Sequence, residues 1–149
     1  MRTPGALAAA ALVAAGLAMP AAAAPGPKPK PVGGSYDVLI PVPYPMEASS
    51  GSHCADAPDT LSRDVRTMGL KSSPGRLDLR VSGFAGDWVI EVFDAKGRVV
   101  ATGASLDLTS GERKATYKKK RSGTEALTVM VCNFGGTASG TVAWTFTPA

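Results

Sequence analysis

Hydrophobic and polar residues alternate along most of this chain with a period of two, the period of a strand that buries one face. The clearest case is Arg76 to Val81, where Leu77, Leu79 and Val81 share one face and Asp78 and Arg80 the other. Thr141 to Thr147 repeats the pattern, with Val142, Trp144 and Phe146 expected inward and Thr141, Ala143, Thr145 and Thr147 outward. Ala126 to Phe134 divides into Leu127, Val129 and Val131 on one side and Met130, Cys132 and Phe134 on the other. The stretch Asp87 to Phe93 differs in kind. Trp88, Ile90 and Val92 align on one face, and Val89, Glu91 and Phe93 on the other, so both faces carry apolar weight. That composition predicts a strand inside a packed structure rather than at an edge.

Turn residues separate these runs. Asp94-Ala95-Lys96-Gly97 predicts a hairpin loop in which Gly97 takes the left-handed position, and Arg98 to Ala101 returns beside the Asp87 strand. Ser72-Ser73-Pro74-Gly75 and Ser122-Gly123-Thr124 are turns, and Gly135 to Gly140 reads as a loose hairpin loop. Shorter strands are expected at Tyr36 to Ile40, Val65 to Leu70, Ser105 to Leu108 and Lys114 to Lys118. The first is held to an edge by the prolines at 41, 43 and 45. Met46 to Pro58 reads as loop, and Asp59-Thr60-Leu61 is a candidate start of a short helical turn with Asp59 as cap. About seven or eight short strands with Gly, Pro and Ser turns and no helical period predict an all-β fold. The expected form is an antiparallel β-sandwich, jelly-roll-like, over residues 35–149, with two stacked sheets hiding the alternating faces.

The first residues change the picture of where this domain works. Met1-Arg2-Thr3 gives a positive start, Gly5 to Met19 is uncharged and rich in Ala, Leu and Val, and Ala21-Ala22-Ala23 offers a small-residue cleavage site. Residues 1–23 therefore read as a secretory signal peptide, with an uncleaved anchor helix as the competing reading. Residues 24–34 are a Pro/Gly/Lys-rich linker, expected to be neither helical nor paired. No other stretch is long and apolar enough to span a membrane. The net charge of +4 is mildly basic, too small to require a nucleic-acid partner, and a monomer is expected.

Cys54 and Cys132 are the only cysteines. In an exported chain such a pair is expected to form one disulfide, with two free thiols the alternative. The bond would close a loop of roughly 78 residues, for which chain entropy gives about 4–5 kcal/mol.

Catalytic chemistry finds little support. His53 is the single histidine, it adjoins Cys54, and no Gly-x-Ser-x-Gly, His-Glu-x-x-His or Cys-x-x-Cys occurs. His53 is expected to be solvated in a Ser-rich loop. No catalytic residue, metal ligand or cofactor is assigned. Calcium would have to use Asp87, Asp94 and Asp107 or Glu125, whereas turn aspartates ordinarily cap backbone amides. Lys118, Lys119, Lys120 and Arg121 form a basic run beside Tyr117. It reads either as a patch for an anionic polymer or as a solvated edge in which lysines deter strand pairing. Glu91 either faces solvent on an exposed sheet face, which is the expectation, or pairs with a basic residue such as Arg80.

From Gly75 onward the chain resembles the bacterial pre-peptidase C-terminal domain, a small β-sandwich of secreted proteins. Gly75-Arg76-Leu77-Asp78-Leu79-Arg80-Val81 is similar to its opening strand. Gly86 to Gly97 is similar to its central strand and Asp-x-x-Gly turn, and Gly123-Thr124 through Thr147 to its last hairpin. The family often carries two aspartates one residue apart at the head of the central strand. Here Asp87 stands and Val89 occupies the second position. The family usually accompanies an exported peptidase, and here the module is expected to stand alone.

The leader, the strand pattern, the cysteine pair and the lack of catalytic groups predict a secreted, non-catalytic accessory or binding module. The alternative within reach of the sequence is a cell-envelope module for a polyanion or carbohydrate that uses Lys118 to Arg121. Partners would be cell-wall or other extracellular polyanions, or proteins.

Overall fold

Each strand of this chain has one face that must leave water, and the fold hides these faces by wrapping one long hairpin on itself. A computed structural model describes residues 26, 29–41, 43, 53–56, 61–71, 73–103 and 111–149. The expected leader, the expected Asp59 cap, the expected Ser105 to Leu108 strand and Asp107 lie outside the described residues.

Eight strands are present among the described residues: β1 (Val32–Leu39), β2 (Arg63–Leu70), β3 (Gly75–Ser82), β4 (Gly86–Phe93), β5 (Val99–Gly103), β6 (Glu112–Lys119), β7 (Glu125–Gly136) and β8 (Ser139–Pro148). They form two four-stranded antiparallel sheets, ordered β1-β8-β3-β6 and β2-β7-β4-β5. First pairs with last, second with seventh, third with sixth and fourth with fifth. That nesting is the topology of an eight-stranded jelly roll.

The core lies between the sheets. β3 gives Leu77, Leu79 and Val81, β4 gives Trp88, Ile90 and Val92, and β7 gives Leu127, Val129 and Val131, all buried as the alternation predicts. β4 is interior to its sheet, flanked by β7 and β5. Its other face is buried too, because a 3-10 turn at Cys54–Asp56 brings Cys54 against Val89, Cys132 and Phe134. The disulfide Cys54–Cys132 joins that turn to β7 with 5.5 Å between Cα atoms.

Several details differ from the expectations. β1 begins at Val32, so Val32, Gly33 and Gly34 pair with Phe146, Thr145 and Trp144 instead of belonging to an unpaired linker. The proline run of the linker ends at Pro31, which frees the next amides to pair. Trp144 packs on the core but is only partly buried. Its indole lies over Gly34, where an added Cβ would sit 3.2 Å from Nε1. The β7–β8 connection is tight, with only Thr137 and Ala138 between the strands. The Trp88 indole donates to the Thr137 carbonyl at 3.1 Å, as does Asn133 Nδ2 at 3.1 Å.

Arg113 is the largest departure in β6, a strand that reads as polar throughout. It is 2% exposed. Its Nε donates to the Trp88 carbonyl at 2.9 Å, and its guanidinium lies 5.3 Å from the centre of the Phe84 ring. The side chain thus supplies donors to β4 where the neighbouring strand does not.

Candidate anion-binding end

Two turns from separate hairpins meet at one end of the sandwich. The first joins β4 to β5. Asp94 Oδ1 accepts from the Lys96 and Arg98 amides at 2.9 and 3.0 Å, and Oδ2 accepts from Arg98 Nε at 2.7 Å. Gly97 sits at φ 74°, as the hairpin requires. The Arg98 hydrogen bonds hold the Asp94 carboxyl below its ordinary pKa. Asp94 is therefore a turn cap, and it fixes where Lys96 and Arg98 emerge.

The second turn joins β6 to β7. The sequence run Lys118 to Arg121 does not form one uniform patch. Lys119 is 3% exposed, and its Nζ donates to the Arg121 carbonyl. A strand alternates its side chains, so an inward Lys119 at the end of β6 sends Lys118 outward, and Lys120 follows the strand. Both are exposed, as is Arg121. Tyr117 donates to Glu125 Oε1 at 2.6 Å. Burial first, and then this bond to a carboxylate, push the Tyr117 hydroxyl up to about 12.

Between the turns lies an open depression of ≈ 610 Å³ lined by Lys96, Arg98, Lys118, Lys120 and Arg121, with Tyr117 and the Glu125 carboxylate to which it is bonded also in its wall. A second depression, of ≈ 480 Å³, lies on the other side of Lys118 and Lys120, with Arg76, Pro74, Thr147 and Pro148. Arg76 is paired with Asp78 at 2.7 Å and Arg98 with Asp94. Among the described residues, no carboxylate stands within ion-pair distance of Lys96, Lys118, Lys120 or Arg121. Of the basic run, three members serve this end and Lys119 shapes it. Lys96, Arg98 and Arg76 are additions that no local motif marks, because only the strand pairing brings them there.

Of the calcium candidates among the described residues, Asp87 is the second residue of β4, Asp94 follows its end, and Glu125 accepts from Tyr117. No group of three or more His, Cys, Asp or Glu residues suited to a metal occurs among the described residues.

Glu91 corrects the expectation of an exposed sheet face. It is 1% exposed beneath the Cys54 turn, on the face opposite the core. Its carboxylate accepts from the Cys54 amide at 2.9 Å and from His53 Nδ1 at 2.8 Å. Arg80 pairs with Glu112 in the other sheet. His53, expected as a solvated loop residue, is an anchor whose ring remains 58% exposed. Nothing local in the sequence marks this pair, because the covering loop lies 38 residues from Glu91.

No helix among the described residues is long and apolar enough to cross a membrane. Compared with known protein families and with curated proteins, the chain matches no family model and no curated sequence.

Proposed function

We propose that this chain is a secreted, non-catalytic jelly-roll module that binds an anionic polymer outside the cell through the end built by the β4–β5 and β6–β7 turns. The observation that carries this is electrostatic. Two turns far apart in sequence place Lys96, Lys118, Lys120 and Arg121 around one depression whose one lining carboxylate, Glu125, is bonded to Tyr117, and none of the four has a carboxylate within ion-pair distance among the described residues. Like charges held close raise the energy of the free protein, and a polyanion relieves that repulsion while releasing its own counterions. The leader-like first residues and the disulfide support an extracellular setting. The resemblance to the pre-peptidase C-terminal domain, a module of secreted proteins, agrees with an extracellular setting. A jelly roll by itself specifies no function, so the weight rests on this end of the molecule.

The test is retention on an anionic resin across a salt series. Four contacts predict a fall in log affinity with log salt of slope about −3, taking about −0.7 per contact as for a flexible single strand. Replacing Lys96, Lys118, Lys120 and Arg121 together by Ala should abolish the salt-sensitive retention. Unchanged retention would refute the proposal.

A further inference from the structure

We infer that this end is bipartite and takes a linear phosphodiester polymer without bases, laid across the ridge formed by Lys118 and Lys120, an inference that rests on the anion-binding reading above. Lys118 and Lys120 line both depressions. Because Lys119 turns inward between them, they stand as two cationic posts on a common rim. Lys96 and Arg121 line the depression on one side of the rim, and Arg76, which also holds Asp78 at 2.7 Å, lines the depression on the other. A single small anion would fill one side alone. A chain crossing the rim reaches cations on both.

The polymer class follows from the donors. Lysine ammonium groups are compact point charges that accept a phosphate in many orientations. The Ser122 and Thr124 hydroxyls line the first depression beside them. Bases would need an exposed aromatic face on which to stack. The one aromatic lining either depression, Tyr117, is only partly exposed, and its hydroxyl is committed to Glu125. A polyol phosphate backbone therefore fits better than a single-stranded nucleic acid.

Binding of the full chain is measured against inorganic phosphate, a short glycerol phosphate oligomer, a long one, and an oligonucleotide of equal charge. Lys96→Glu should weaken both oligomers. Arg76→Glu should weaken the long oligomer at least tenfold and leave the short one unchanged. Thr147→Glu, which places a negative charge in the same depression from β8, should repeat the Arg76→Glu result and guards against a local folding defect. If the long oligomer binds and both second-side variants bind it normally, the bipartite site is wrong and the anion-binding reading survives. If neither oligomer binds, both fail. Tighter binding of the oligonucleotide than of the long oligomer would overturn the choice of a base-free polymer.

Discussion

His53 Nδ1 lies 2.8 Å from Glu91 Oε1, across 38 residues of chain, and joins the loop before Cys54 to the middle of β4. The other carboxylate oxygen, Oε2, accepts from the Cys54 amide at 2.9 Å, so one buried carboxylate fixes two consecutive loop residues. Replacing Glu91 by Ala leaves a buried amide without its acceptor and should cost about 1–3 kcal/mol, read by denaturant unfolding. His53→Ala should cost less, because that side chain is 58% exposed and solvent can replace it. Equal losses for the two variants would contradict this ranking.

The disulfide and Glu91 hold the same turn from two sides. Reduction should destabilise the domain by about 4–5 kcal/mol in the chain-entropy picture, for a separation of 78 residues. A melting temperature unmoved by reductant would show that the loop is held without the bond.

Two tyrosines contribute to the loss of stability at alkaline pH. Burial, then the nearby Asp64 carboxylate, push the Tyr36 hydroxyl up to about 12, and burial with the Glu125 bond does the same for Tyr117. The folded state therefore favours the protonated phenols. Their contribution to stability is complete below pH 10.0, the ordinary value, and is lost as pH rises from there through about 12. Tyr36→Phe should flatten this decline at little cost near neutral pH, because the Tyr36 hydroxyl has no hydrogen-bond partner among the described residues. A stability profile flat between those limits in the native chain would contradict the assignment.

Gly136 is irreplaceable on backbone grounds. Its φ is 120°, and an added Cβ would sit 1.8 Å from the Ala85 carbonyl oxygen. This close approach adjoins the register shift between Asp87 and Trp88 in the β4–β7 pair. Gly136→Ala should cost at least about 1–3 kcal/mol from backbone strain alone. A melting temperature equal to that of the native chain would contradict it.

The sandwich was legible because its inner faces are apolar at every second residue. Leu77, Leu79 and Val81 show this in β3, and Trp88, Ile90 and Val92 in β4. The buried charges were not legible. Arg113 and Lys119 lie in a strand that reads as polar, and each goes inside because its donors meet backbone carbonyls there. Glu91 reads as exposed in the sequence because the cover on its face comes from a distant loop. Lys118, Lys120 and Arg121 were visible as a charge run. Their meeting with Lys96 depended on how two hairpins stack, which local patterning does not encode.

Amide chemical-shift mapping during titration with a linear glycerol phosphate polymer tests the central claim most directly. The largest shifts should fall at Lys96 to Arg98, Lys118 to Thr124 and Arg76, and should fade as salt is raised. Shifts confined to the outer face of the β1-β8-β3-β6 sheet around Arg80 and Lys114, or no shifts at all, would contradict it.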